Sequence, residues 1–240
     1  MAAVDLNPEA LQQTVELAQA GSRLSTRTLN IVDREAAEEL PGQVLRSHGP
    51  VDGLINVAGI IQPFVHVEDL DLEIIERVMD VNFWGTLHMV KAFLPGLKAR
   101  PEAALVNVSS MGALLPVPGQ SVYGASKAAV RLLTEGLCAD LQGTAVMVTE
   151  VFPGAVGTEI TRNSGVEFSG GGDGAAKVTS PQEAGRIIVD AVERKRFRVL
   201  IGNDAGFFDL IARIAPQRGI AMMAKKMKNL VMGRAEKAGV

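Results

Sequence analysis

The only tyrosine of the chain, Tyr123, lies four residues before Lys127. On a helix, side chains four positions apart share a face, so this phenol and this ammonium group can reach one ligand. Ser110 ends the segment Asn107-Val-Ser-Ser110, where a strand end can place its hydroxyl opposite the pair. Such groups suit the movement of a proton on and off a carbonyl or alcohol oxygen. The spacing therefore predicts a proton-transfer site.

The elements around this site follow an alternating pattern. Strand-like and helix-like segments alternate along the 240 residues, which predicts an α/β fold with a doubly wound, Rossmann-like parallel sheet and helices on both faces. Strands are predicted at residues 2–5, 27–31, 51–56, 104–109, 145–152 and 198–201. No repeat or linker divides the chain, so residues 1–240 are expected to form a single domain that ends in a basic amphipathic tail at 209–240.

Several residues predict where helices begin and end. Asn7 and Asp33 precede helical patterns and are expected to be N-caps. Pro41 followed by Gly42 predicts a break in the second helix, since an interior proline costs about 3 kcal/mol. Residues 72–97 are expected to hold two helices, the second beginning near Asn82, and the helix of Tyr123 is expected to continue to about residue 141. The glycine-rich segment 164–179 is predicted to be a mobile lid, and Pro181 to begin another helix.

Composition excludes several classes of function. The net charge is −3, so nothing in the overall charge favours nucleic acid as a partner. The single cysteine, Cys138, leaves no internal disulfide and favours a cytoplasmic location. The three histidines are scattered without the spacing of metal ligands, and no apolar run is long enough to span a bilayer.

The motifs, taken in order, carry a family resemblance. Asn56-Val-Ala-Gly59, Asn82, Ser110, the Tyr123–Lys127 pair and Pro153-Gly-Ala-Val-Gly-Thr158 occur at family-like intervals. From about residue 2 to residue 209 the chain resembles the short-chain dehydrogenase/reductase family. The resemblance implies that it transfers a hydride between a nicotinamide cofactor and a substrate.

The resemblance also implies catalytic roles. Tyr123 would be the general acid/base, and Ser110 would hydrogen-bond the substrate oxygen. Lys127 would hold the nicotinamide ribose and, together with the oxidised ring, lower the pKa of the phenol. Asn82 would anchor a water molecule in a proton relay. Two of these residues also have a purely structural interpretation, Ser110 as a strand-end hydroxyl and Asn82 as a helix cap.

Further residues would bind the cofactor, by the same resemblance. Asp5 would accept hydrogen bonds from the adenosine ribose hydroxyls and repel a 2′-phosphate, which favours NAD over NADP. Asn30 and Ile31 match the pair that contacts adenine, although the family often has Asp where this chain has Asn30. The remaining matches are Asn56, Ala58 and Gly59 in one turn and Pro153, Gly154, Val156 and Thr158 beside the nicotinamide. Asp5 and the Pro153–Gly154 pair could instead be ordinary turn residues.

One family feature is missing from this pattern. The family begins with a strand, a glycine-rich turn and a helix that bind the cofactor pyrophosphate, and no such glycine run occurs before Gly42. A parallel sheet without that strand is expected to have unpaired edges on both sides of a gap. Either the natural product begins about 30 residues upstream, which is the length of a strand–helix unit, or the chain is a shortened form of doubtful competence. In both cases this chain is expected to bind NAD far more weakly than one with the missing unit restored.

Two functions remain open. The leading prediction is an NAD-dependent oxidoreductase for a hydrophobic secondary alcohol or ketone, because apolar residues lie near the site (Leu114, Leu115, Val117, Val166 and Phe168). The alternative is a non-catalytic binding or scaffold subunit. We expect a homodimer or homotetramer through the helices containing Asn82 and Tyr123. The basic tail is expected to cover the substrate site or a subunit interface; contact with a membrane surface is the alternative.

Overall fold

The structure is a computed structural model, and it describes residues 1–166, 178–202 and 205–226. The strands are β1 (Ala2–Asp5), β2 (Ser25–Thr28), β3 (Gly53–Asn56), β4 (Ala103–Val108), β5 (Val146–Pro153) and β6 (Arg198–Ile201). The helices are α1 (Pro8–Ala18), α2 (Arg34–His48), α3 (Leu72–Met79), α4 (Thr86–Lys98), α5 (Ser121–Asp140), α6 (Ile160–Asn163), α7 (Pro181–Glu193), α8 (Ala205–Ile214) and α9 (Pro216–Lys226).

Helices cover both faces of a parallel sheet, as the sequence predicts. Successive residues of a strand point to opposite faces, and β4 shows this at Leu105 and Val106. Leu105 lies in a core cluster with residues of α2, α4 and α5. Val106 lies in a second cluster with Ala184 and Ala191 of α7. The predicted doubly wound α/β fold is therefore confirmed.

The described strands form two sheets. β1 pairs with β2, and a second sheet has the order β3-β4-β5-β6, with every one of these pairings parallel. Val4 of β1 and Leu54 of β3 pack in the same core cluster, yet no ladder joins these two strands within the described residues. Ile55, on edge strand β3, is 48% exposed. The gap expected from the sequence is therefore present, and it lies between β1 and β3.

The helices begin at the capping residues predicted from the sequence, but the predicted break at the proline is absent. Asn7 Oδ1 accepts hydrogen bonds from the N–H groups of Glu9 and Ala10, and Asp33 Oδ1 accepts one from Ala36. The predicted break at Pro41 is wrong, because α2 continues through it to His48. Leu40 beside it is fully buried in the core shared with α4. Burial of this helix face offsets the hydrogen bond that the proline removes.

The connection between α3 and α4 differs from a simple break. Residues Asp80–Gly85 form a π-helical turn that joins the two helices, so Asn82 lies inside this turn rather than at a helix start.

The second strand is also displaced: it is predicted at 27–31 and observed at Ser25–Thr28. In the predicted tail, α8 and α9 are two separate helices. Residues 227–240 of the tail, and 167–177 of the predicted lid with Phe168, lie outside the described residues.

Candidate active site

The predicted site residues gather at the carboxyl ends of β3, β4 and β5. Asn56 is the last residue of β3, Ser110 follows β4 and Pro153 is the last residue of β5. Because these three strands are parallel neighbours, their ends meet at one edge of the sheet. This edge of an open α/β sheet is where ligands bind in such folds.

Tyr123 and Ser110 form a hydrogen-bonded pair. Tyr123 lies in the first turn of α5, and its ring faces Gly112, where an added Cβ would lie 3.5 Å from Tyr123 Cε1. Burial raises the pKa of Tyr123 above its ordinary value, and the hydrogen bond with Ser110 acts in the opposite direction. Ser110 Oγ also accepts a hydrogen bond from the N–H of Gly112 at 3.1 Å. Without a ligand, the phenol therefore keeps its proton at neutral pH.

Lys127 extends from α5 into the interior. The residue is 3% exposed, and burial lowers the pKa of its ammonium group to about 8. Within the described residues, Nζ donates one hydrogen bond, to the carbonyl oxygen of Val108 at 3.1 Å. An ammonium group can donate three hydrogen bonds. Lys127 therefore retains donors for a ligand. Ser109, the residue before Ser110, donates to the backbone carbonyl of Lys127 at 2.8 Å and so has a structural role.

Asn82 connects the loop after β3 to α5. Its side chain is fully buried, and Oδ1 accepts a hydrogen bond from the N–H of Ile60 at 2.8 Å. Nδ2 donates to the carbonyl of Ile60 and to Ser126 Oγ, both at 2.9 Å. Ser126 in turn donates to the carbonyl of Tyr123 at 2.8 Å. The Asn82 side chain therefore fixes the position of the turn at Gly59 relative to the helix that bears Tyr123.

The turn after β3 lies directly against Lys127. A Cβ at Gly59 would lie 2.9 Å from Lys127 Nζ and 3.3 Å from Asn82 Oδ1, so a side chain there would displace the ammonium group. Asn56 donates a hydrogen bond to Asn107 Oδ1 at 2.9 Å. Ala58 lies between Asn56 and Gly59 in the same turn. The turn therefore brings Gly59 next to the reactive groups.

The residues predicted to bind adenosine lie at the other sheet. Asp5 ends β1, and its Oδ1 accepts a hydrogen bond from the N–H of Asn7 at 2.8 Å. Asn30 is exposed and Oδ1 accepts a hydrogen bond from the N–H of Val32. Ile31 packs against Gly85, where an added Cβ would lie 2.6 Å from its side chain. Asp5 and Asn30 are thus at the surface, and Ile31 fills space beside the π-helical turn.

The segment after β5 is held at both ends. The N–H of Gly154 donates to the carbonyl of Ile201 at 2.8 Å, which continues the β5–β6 pairing from Pro153. Val156 forms a parallel bridge with Thr179, and Thr158 is exposed. This segment therefore runs from the edge of the sheet into the border of the predicted lid.

The C-terminal helices cover the loop that follows Ser110. Leu114 and Phe208 of α8 pack in one cluster with Met111. Leu115 is buried, and an added Cβ at Gly219 of α9 would lie 2.8 Å from its side chain. The described part of the tail therefore covers this loop, although Phe207 on the outer face of α8 is exposed. Leu210, Ile214 and Ile220 of these two helices are exposed as well, so the covering contact uses only part of their apolar surface.

A family comparison explains this geometry. The model of the short chain dehydrogenase family matches residues 1–167, which is more than half of the chain. The chain belongs to this family.

Relatives of known name support the assignment. The chain is 36% identical over 224 residues to SadH, a Mycobacterium tuberculosis protein named as an oxidoreductase, and this match covers 89% of the chain and 81% of SadH. It is 35% identical over 157 residues to the NADP-dependent 3-hydroxy acid dehydrogenase YdfG of Salmonella typhi, covering 65% of the chain and 62% of YdfG. The chain therefore spans less than two thirds of YdfG.

A solved structure shares the fold. The crystal structure of a short chain dehydrogenase from Burkholderia cenocepacia J2315, in complex with NADP, is 26% identical with a TM-score of 0.74. The match covers 92% of this chain and 96% of the other. Within the described residues, the helices are too short or too polar to cross a membrane.

The residues of the site fit the ribose part of a dinucleotide. Lys127 offers N–H donors that no described residue uses, and ribose hydroxyls can accept them. The carboxylate of Asp5 is exposed, and its Oδ2 atom remains able to accept hydrogen bonds from ribose hydroxyls. These two residues would hold the sugars of a nicotinamide dinucleotide.

Sequence reasoning missed two polar residues of the site. Ser126 links Asn82 to Tyr123, and Gln62 contacts the first turn of α5. Ser126 lies three residues after Tyr123 and could have been found by helical spacing. Gln62 has no local signal, because its partners lie about 60 residues away.

Proposed function

We propose that the protein transfers a hydride between NAD(H) and a hydrophobic secondary alcohol or ketone. The observation that carries the proposal is the convergence of Tyr123, Ser110 and Lys127 at the end of the central strands, with the phenol hydrogen-bonded to Ser110. When bound, the cofactor supplies or accepts the hydride. The residues of the chain hold the substrate oxygen and move the proton.

In carbonyl reduction, the hydroxyl of Tyr123 donates its proton to the oxygen that gains charge as the hydride arrives. The hydroxyl of Ser110 donates a hydrogen bond to the same oxygen and stabilises that charge. Burial raises the pKa of Tyr123, which keeps the phenol protonated and ready to donate. Lys127 Nζ and Asn82 Oδ1 both lie close to Gly59, a placement that supports return of a proton to Tyr123 from solvent. Alcohol oxidation runs the same steps in reverse.

The preference for NAD rests on Asp5. A carboxylate at the end of β1 accepts hydrogen bonds from ribose hydroxyls and repels a 2′-phosphate. YdfG is named as NADP-dependent and the Burkholderia cenocepacia structure contains NADP, so the relatives point the other way. The deciding measurement is kcat/KM with NAD and with NADP. We expect the wild-type value to be at least tenfold higher with NAD, and we expect Asp5→Asn to reduce this ratio. A wild-type preference for NADP would refute this part.

The hydrophobic substrate is supported by the apolar loop after Ser110, in which Ala113 and Leu114 are only partly buried. Leu114 and Met111 pack with Phe208 of α8 on the side of this loop that the C-terminal helices cover. The test is a panel of secondary alcohols of increasing apolar surface, with NADH formation as the readout. We expect kcat/KM to rise along the series. Equal values for short and long alcohols would remove the preference.

A non-catalytic role as a binding or scaffold subunit is the second candidate. The gap between β1 and β3 favours it, because it leaves the sheet open beside the strand ends where the cofactor would lie. Titration with NADH, followed by nicotinamide fluorescence, separates the candidates. Saturable binding together with turnover supports the oxidoreductase, and binding without turnover of any panel member supports the scaffold.

We also propose a homodimer or homotetramer through the helices containing Asn82 and Tyr123. Trp84, in the π-helical turn, and Leu132, on α5, are large apolar side chains that are exposed in the single chain. Leu132→Lys should lower the molar mass measured by light scattering. Leu17→Lys, at a still more exposed position on α1, should leave the molar mass unchanged. A monomeric wild-type protein would contradict the proposal.

A further inference from the structure

Gln62 forms a buried bridge between two parts of the candidate active site. The residue is fully buried and lies three positions after Gly59. Its side-chain oxygen accepts hydrogen bonds from the backbone N–H groups of Val122 at 2.8 Å and Tyr123 at 3.0 Å. Its side-chain nitrogen donates to the carbonyl of Gly119 at 3.0 Å. Every polar atom of the Gln62 side chain thus contacts the entry into α5.

These bonds replace an N-cap that α5 lacks. The first N–H groups of a helix have no partner within the helix and usually bond to the side chain of the capping residue. The N-cap position is Gln120, and its side chain makes no capping bond. It donates instead to the backbone carbonyl of Gln62 at 2.7 Å. The N-terminus of the helix that bears Tyr123 is therefore capped by a residue about 60 positions earlier in the chain.

The loop that carries Gln62 is itself held in place. Asn82 makes hydrogen bonds to both the N–H and the carbonyl of Ile60. The N–H of Ile61 donates to Ser164 Oγ at 2.9 Å, next to α6. Three consecutive residues of this loop are thus fixed by side chains, and the last of them binds Tyr123. A displacement of the loop would move the first turn of α5.

We propose that Gln62 is a positioning residue, which caps α5 and fixes the Tyr123 hydroxyl relative to Ser110 during proton transfer. The inference deepens the proposed oxidoreductase function and rests on it. Because Tyr123 is in the first helical turn, a frayed turn moves its phenol directly, and a misplacement of about 1 Å can reduce catalysis by about 100-fold. A neutral amide also suits this position, because an anionic cap beside Tyr123 would oppose formation of the phenolate.

The test compares three variants of the full chain. Gln62→Met keeps the size and removes the acceptor for both N–H groups. Gln120→Met is the matched control, because it also removes a buried glutamine from this contact but leaves the oxygen of Gln62 bound to Tyr123. Gln62→Glu is the conservative variant, whose carboxyl oxygen can accept from the same two N–H groups and whose protonated form can still donate to Gly119.

We expect Gln62→Met to lower kcat about 100-fold for ketone reduction while KM changes by about twofold or less. Backbone amide exchange of residues 121–125, measured by mass spectrometry without cofactor, should become about tenfold faster, because two hydrogen bonds are lost. Gln120→Met should change kcat by about fivefold or less and leave this exchange near the wild-type rate. Gln62→Glu should recover most of the exchange protection and at least a tenth of kcat.

Two results would overturn the proposal. Unchanged exchange at residues 121–125 in Gln62→Met would mean that the cap does not hold this turn. Faster exchange with wild-type kcat would mean that the cap is structural and has no part in positioning Tyr123. The proposed function fails separately, if the wild-type protein turns over no alcohol or ketone, whereas the amide exchange still reports on the cap.

Discussion

Replacing Lys127 with methionine should stabilise the protein at neutral pH while it weakens or abolishes activity. Lys127 is almost fully buried, and its pKa falls from an ordinary value of 10.5 to about 8. A pKa difference of about 2.5 units corresponds to about 3 kcal/mol of folding free energy when both states are protonated. Methionine avoids this cost but leaves the carbonyl of Val108 without its Lys127 donor, which costs about 1–2 kcal/mol. The net gain at pH 7 should be about 1–2 kcal/mol.

The pH dependence gives this prediction its sign. Between about pH 8 and 10.5 the unfolded state binds more protons at this lysine than the folded state, so wild-type stability rises with pH in that window. The advantage of Lys127→Met should therefore shrink by about 2 kcal/mol between about pH 7 and pH 9.5. Urea unfolding of both proteins at several pH values measures the difference. A difference that does not change with pH would show that Lys127 is not buried as a cation, and would refute the reasoning.

Two further predictions concern neighbouring groups. Gly59→Ala should weaken NADH binding and lower kcat/KM at least about tenfold, because the added methyl group displaces Lys127 Nζ. Gly96→Ala is the control, since a Cβ there meets nothing within 4 Å, and its kinetics should match those of the wild type. Equal kinetics in the two variants would contradict the contact between Gly59 and Lys127. Burial raises the pKa of Glu150 to about 7, so the folded state binds more protons than the unfolded state and stability falls as pH rises from about 4.5 through 7. Glu150→Gln should therefore be about 3 kcal/mol more stable than wild type at pH 8 and similar at pH 4.5 in urea unfolding. The same difference in stability at both pH values would contradict the raised pKa of the buried Glu150 carboxyl group.

Local patterns in the sequence predicted much of the fold and the reactive set. The spacing of Tyr123 and Lys127, the caps Asn7 and Asp33 and the last strand at Arg198–Ile201 each depend on residues near one another in the chain. Such features can be predicted from the sequence because the periodicity of helices and strands is local. The family and the α/β architecture followed from the order of these signals.

What the sequence did not reveal depends on contacts between distant residues. Burial of Leu40 keeps α2 intact through Pro41, and no local preference contains that information. The π-helical turn at Asp80–Gly85 has no periodic signature, so Asn82 was expected at a helix start. Gln62 and its bond to the N–H of Tyr123 join residues that only the folded sheet brings together. The raised pKa of Tyr123 likewise reflects burial by the whole structure.

The most direct test of the account is a single-turnover reduction of a ketone by NADH, compared between the wild-type protein and Tyr123→Phe at saturating cofactor. We predict that the variant loses at least about 10³-fold in rate, because the proton donor is gone. Its affinity for NADH, measured by fluorescence, should stay within about twofold of wild type. A variant that keeps the wild-type rate would contradict the claim that the Tyr123 hydroxyl supplies the proton.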